Sequence, residues 1–161
     1  MIVVSDTSAI SNLLVVGQLE LIQRIYQQVV VPPAVDQEVR SLQNFGIDLT
    51  AYTSATWLSV QVPTDSLLVK KLKEALDDGE AEAIALALQL KADRLLIDER
   101  LGRLVAVQYG LNITGILGVL ITAKVLRLVS TIKPILEALV QQAGFWIDES
   151  LYAQVLEDVG E

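Results

Sequence analysis

Cysteine and histidine are both missing from the 161 residues. Without cysteine there can be no disulfide, no zinc ribbon and no thiol nucleophile. Without histidine there is no imidazole acid–base catalysis and no Ser-His-Asp triad. Any metal site has to be built from oxygen ligands, which suits Mg²⁺ or Mn²⁺ rather than copper or a typical zinc centre. Aromatic residues make up only 5%, so the core must be aliphatic. Positive charge is scarce as well: 12 Lys and Arg stand against 20 Asp and Glu, a net charge of −8. That argues against a nucleic-acid scavenger coated in basic residues. No apolar run is long enough to span a bilayer, because the longest, Ile113 to Val129, is interrupted by Lys124 and Arg127. The N-terminus has no basic n-region and carries Asp6 inside its apolar stretch. The expectation is a soluble cytoplasmic protein with no membrane partner.

Hydrophobic residues make up 52% of the chain, which excludes intrinsic disorder and fibrous repeats. The length suits one domain over residues 1–161, with the helices from about residue 132 onward belonging to it. Short apolar runs at Met1–Val4, Val29–Val31 and Arg94–Ile97 read as buried strands, as does Leu111–Thr114. Ala55–Val62 reads as a short or edge strand before Pro63. Helical spacing covers Thr7–Leu14, Gln18–Gln28, Ala34–Leu42, Asp65–Leu76, Gly79–Lys91, Leu101–Tyr109, Ile116–Leu128, Pro134–Gln142 and Glu149–Val159. Asn44–Ser54 is not legible. Strands separated by helices predict an α/β fold with a mainly parallel sheet.

In such sheets function collects at the carboxyl ends of the strands. Asp6 follows Ile-Val-Val-Ser and Asp98 follows Arg-Leu-Leu-Ile. Each also precedes a predicted helix, where aspartate is a favoured N-cap, so neither position alone decides between cap and catalyst. Glu38 falls at about 300° on its helix with Val35 as zero, bordering the stripe formed by Val39 at about 40° and Leu42 at about 340°. Glu80 and Glu82 open the apolar Gly79–Lys91 helix and lie about 200° apart, so a regular helix cannot aim both at one site. Glu80 lies on the side of Ile84, Ala87 and Leu88. First-turn acids also favour the helix dipole, and Asp77 with Glu80 has capping-box spacing. Acids converging on one sheet edge would repel one another and hold protons unless a cation joined them. Bound Mg²⁺ or Mn²⁺ removes that cost and lets a histidine-free site activate water against a phosphodiester.

Asp6-Thr7-Ser8 after the first strand, Glu38, Glu80 and Asp98 in this order together resemble a PIN domain. The interval of 18 residues between Glu80 and Asp98 matches that family's last two motif acids. Gly79-Glu-Ala-Glu-Ala-Ile-Ala-Leu-Ala87, Leu96-Ile-Asp-Glu-Arg-Leu-Gly-Arg103 and Thr114-Gly-Ile-Leu-Gly118 resemble a prokaryotic branch usually catalogued as a domain of unknown function. The resemblance covers nearly the whole chain and implies a PIN-like α/β/α sandwich with a short central sheet. It implies a metal-dependent endoribonuclease acting on RNA, often the toxin half of a type II toxin–antitoxin pair (VapC-like). Asp6, Glu38, Glu80 and Asp98 would form the acidic site holding Mg²⁺ or Mn²⁺. Ser8 would support the metal shell. The family also implies a homodimer and a small antitoxin protein reaching into the acidic groove. The third acid is Glu where many PIN domains have Asp, and Gly-Glu-Ala-Glu leaves both Glu80 and Glu82 open. Glu99 stands as an extra ligand or a first-turn acid.

Arg100 and Arg103 follow Asp98 closely enough to contact substrate phosphates, while Lys70, Lys71 and Lys73 read as solvated charges. Trp57 and Trp146 read as core or cover residues rather than base-stacking platforms. Ile116, Leu117, Leu120 and Ile121, with Leu126 and Leu128, suit either a core or a dimer interface. The rival to the nuclease is a non-catalytic PIN-like module that binds a protein partner or regulates. A phospho-accepting receiver domain is disfavoured, because no lysine ends a later strand.

Overall fold

The computed structural model describes residues 1–161. Its strands are β1 (Val3–Ser5), β2 (Val29–Val31), β3 (Leu58–Val60), β4 (Arg94–Leu96) and β5 (Ile113–Thr114). They form one parallel sheet in the order β3-β2-β1-β4-β5. Register is set at the centre, where Val4 lies beside Val30 on one side and Leu95 on the other. The helices are α1 (Thr7–Val15), α2 (Glu20–Tyr26), α3 (Pro33–Arg40), α4 (Thr50–Thr53) and α5 (Ser66–Leu72). They continue with α6 (Asp78–Leu90), α7 (Arg100–Gln108), α8 (Ile116–Val125), α9 (Lys133–Gln142) and α10 (Glu149–Asp158). No helix is long and apolar enough to cross a membrane.

A strand covered on both faces has no solvated side, so its residues run apolar without alternation. Successive side chains still point to opposite faces. Val3 and Leu96 join Ile10, Leu13, Val35, Leu120 and Leu136 in one core, whereas Val4 and Leu95 join Leu72, Ile84 and Ala106 in the other. The sheet is thus the middle layer of an α/β/α sandwich. Leu139 of α9 and Val155 of α10 pack into the same core as α1.

Several expected boundaries move, each for a local reason. The helix expected over Ile116–Leu128 ends at Val125, because Arg127 takes φ +59° and Leu128 N–H donates back to Ala123 O at 2.8 Å, which closes it. The expected strand over Ala55–Val62 contracts to three residues at the sheet edge. Asn44–Ser54 contains the end of a 3₁₀ turn (Ser41–Phe45) and the single-turn α4, held where the Tyr52 hydroxyl donates to Asp36 Oδ1 at 2.6 Å.

Trp57 packs against the core as expected, but Trp146 does not: it is 82% exposed. It lies in the connection between α9 and α10, where Phe145 and Ile147 on either side pack against the core. With both neighbours partly buried against the core, the indole is left outward. In the α8 region, Ile116 and Leu120 are fully buried and Leu117 and Ile121 partly so, while Leu126 is exposed.

Candidate acidic site

The strand order runs outward from β1 through β2 to β3 on one side and from β4 to β5 on the other. The crevice of such a sheet opens at the carboxyl ends beside that reversal, between β1 and β4. Asp6 leaves β1 and Asp98 leaves β4 at this place. The Asp6 N–H donates to Leu96 O at 2.8 Å, which ties the two strand exits together.

Asp6 occupies the N-cap position of α1, yet its carboxylate makes no capping bond. The residue is 3% exposed and its Oδ1 is buried without a hydrogen-bond partner. Burial pushes its pKa up to about 7. The Thr7 N–H opposes that rise, and the charges of Asp77, Glu38 and Asp98 add to it. An N-cap role therefore leaves its side chain unexplained.

Asp98 stands outside α7, whose N-cap is Glu99. Its Oδ1 accepts from Ile116 N–H, the first residue of α8, at 2.8 Å, and its Oδ2 is buried with no partner. Burial raises its pKa, partly countered by the Ile116 N–H and the Arg103 guanidinium. Arg103 Nη1 also donates to Ile97 O at 3.1 Å. Gly115 makes this packing feasible, since a Cβ there would fall 2.7 Å from both Asp98 Oδ1 and Arg103 Nη1.

Glu38 reaches the crevice from α3. It accepts a short hydrogen bond from the Thr7 hydroxyl and lies over Gly79, where a Cβ would come within 2.8 Å of Oε2. Burial raises its pKa against the lowering effect of Thr7. Glu80, 6% exposed on α6, lies over Gly102 of α7. Burial first, then the negative charges of Asp77 and Asp6, push its pKa up to about 8.

The remaining residues divide. Ser8 lines a groove of about 910 Å³ that also includes Asp98, Glu99 and Arg100. Glu99 is exposed, and its charge raises the pKa of both Asp98 and Glu80. Glu82 turns away from the crevice, and its Oε1 accepts from Ala34 N–H at 3.3 Å at the start of α3. Arg100 is exposed along the groove, whereas Arg103 is half-buried and engaged with Ile97. Lys73 pairs loosely with Asp78 at 3.7 Å.

Two participants are not evident from the sequence pattern. Asp77 caps α6 by accepting from Glu80 N–H at 2.8 Å, and its charge also acts on Asp6, Glu38 and Glu80. Capping-box spacing accounted for it completely, so nothing local marked it as part of the acidic group. Thr7 is the anchor of Glu38.

The donor set fits a hard divalent cation: it offers only oxygens, two of them buried and unpartnered. As the side chains stand, no three acids are gathered closely enough to hold an ion. A bound ion would need the carboxylates to draw inward.

A doubly wound parallel sheet with buried carboxylates at its reversal defines an acid-centred α/β domain. The chain belongs to the PIN-domain family, since the family model DUF3368, described as a PIN domain, matches residues 2–161. PIN domains are in general nucleases that use divalent metal ions. Among solved structures, the fold is similar to a PilT N-terminus domain protein from the hyperthermophilic archaeon Sulfolobus solfataricus P2. The two are 21% identical with a TM-score of 0.52, over 74% of this chain and 90% of that one. No curated protein matches the chain.

Proposed function

We propose that the protein is a metal-dependent endoribonuclease, with Asp6, Glu38, Glu80 and Asp98 as ligands for Mg²⁺ or Mn²⁺. The observation that carries this reading is the pair of partnerless buried oxygens, Asp6 Oδ1 and Asp98 Oδ2, at the reversal of the sheet. A bound ion there would lower the pKa of a water and offset charge on a phosphoryl oxygen. The protein's own groups do the positioning. Thr7 fixes Glu38, Ile116 N–H fixes one oxygen of Asp98 and leaves the other free, and Ser8 supports the shell from α1. Arg100 offers its charge to a substrate phosphate. Arg103 is already engaged with Ile97, so its contribution is first to hold Asp98 ionised.

The finer parts of this reading rest on the family. They are an RNA substrate, a toxin role in the cytoplasm, a homodimer, and a small antitoxin protein that blocks the acidic groove. The test is cleavage of RNA and calorimetric binding of Mn²⁺ or Mg²⁺ by wild type, Asp6→Asn and Asp98→Asn, each checked for native circular dichroism. Both variants should stay folded and lose metal binding and cleavage. Wild-type cleavage rates in both would refute the site. The spread of the carboxylates favours a second reading, a non-catalytic module that binds a protein partner. Folded wild type that binds neither ion would support it.

A further inference from the structure

We infer that Trp146 is a stacking platform for a nucleobase of a single-stranded RNA, in the groove that leads to the acidic site. The inference rests on the nuclease reading and deepens it by naming how the strand is gripped. Asp98, Arg100 and Arg103 lie on the wall of one groove with Phe145 and Trp146. The groove is continuous with the acidic crevice because Asp98 belongs to both. Its volume, about 910 Å³, exceeds that of the other main surface pockets.

Trp146 is held there rather than left there. Phe145 and Ile147 anchor the segment to the core, and Phe145 N–H donates to Leu139 O at 3.0 Å. Both neighbours are partly buried against the core, and the indole between them stands outward. The result is an indole 82% exposed in a chain with only two tryptophans. An aromatic face open to solvent is what unpaired bases stack on, whereas bases in a duplex have their faces covered.

The charges of the groove assign the occupant. Arg100 is exposed and carries no ion pair, so a strand's phosphate is available to it. Ser8, Asn12 and Thr114 add hydroxyl and amide groups for sugar or base edges. Of the acids on the wall, Asp98 belongs to the cation site and Glu99 stands beside it. Asp148 accepts from Ser150 at the start of α10. Arg100 and Trp146 line the same groove, so a strand whose phosphate meets Arg100 would run past the indole.

Trp146→Ala and Trp146→Phe are compared in steady-state cleavage of a short single-stranded RNA of mixed sequence. Stacking contributions of the usual size correspond to a rise in KM of roughly five- to hundredfold for Trp146→Ala. kcat should change little, and Trp146→Phe should restore most of the affinity. Binding is read separately in an Asp6→Asn, Trp57→Phe background, in which Trp146 is the sole tryptophan. Single-stranded RNA should quench its emission, and the duplex of the same sequence should not. Unchanged KM in Trp146→Ala, or equal quenching by duplex, would overturn the inference while leaving the nuclease reading standing. Absence of cleavage in wild type with selective quenching would do the reverse. Emission already blue-shifted in the free protein and lost contact on Trp146→Ala, seen as a dimer turning monomer, would also overturn it.

Discussion

Gly79 shows how much of the site is decided by atoms that are absent. Alanine is a better helix former than glycine by about 1 kcal/mol, so Gly79→Ala should not weaken α6 itself. Its Cβ would nevertheless fall 2.8 Å from Glu38 Oε2. The end of a glutamate can swing aside, so the fold survives and the carboxylate moves. Gly79→Ala should keep or raise the melting temperature and lower Mn²⁺ affinity by roughly 10–100-fold, the usual effect of losing support for a ligand. Calorimetry beside a thermal melt separates the two. Asp6 and Asp98 are legible in the sequence because each follows a short apolar run. Glu38 is legible because it borders a helical stripe. Asp77 is not, because its charge acts across elements and its local role as a cap already explains it. Trp146 is misread for a related reason: hydrophobicity argues for burial, and only the packing of Phe145 and Ile147 shows that it faces out.

At the scale of elements, α6 joins two functions at one terminus. Asp77 satisfies the Glu80 N–H and at the same time repels the carboxylates of Asp6, Glu38 and Glu80. Substitution can divide them. Asp77→Asn keeps an acceptor for the cap and removes the charge, whereas Asp77→Ala removes both. The alanine variant should cost about 1 kcal/mol in denaturant unfolding, and the asparagine variant markedly less. Both should lower the pH at which the buried acids of the metal-free protein ionise, followed through the carboxyl resonances of Glu80 and Asp6. Most helices here are legible because they present long stretches of regular spacing. Asn44–Ser54 is not, because four helical residues carry no period and α4 is fixed from outside, by Tyr52 on Asp36 and by Asp48 on Thr50 N–H at 2.9 Å.

For the whole molecule, the buried acids tie stability to pH. In the metal-free fold Asp6 keeps its proton to about pH 7 and Glu80 to about pH 8. Unfolded carboxyls release theirs near about pH 4. Between these limits the folded state binds more protons than the unfolded one, so this contribution is full at about pH 4 and falls as pH rises. The melting temperature of metal-free protein should therefore decline from about pH 5 to about pH 8. Added Mn²⁺ should restore it most at the upper end, because a ligand that binds only the native state stabilises by mass action. A metal-free melting curve flat over that range would remove the basis for buried, protonated acids. The α/β class follows from alternating strands and helices, but the neighbour of each strand does not, since apolar runs such as Val3-Val4 and Leu95-Leu96 suit any place in a buried sheet.

That strand order also sets how late in synthesis the acidic site is completed. β1 is made first, but its partner at the crevice is β4, and the oxygen of Asp98 is oriented by an amide of α8 further on. A chain emerging from the ribosome, itself built of RNA, carries Asp6, Glu38 and Glu80 well before it can present Asp98 beside them. Because long-range pairing forms late, a nuclease centred on these acids would stay harmless to the ribosome making it until most of its length is out.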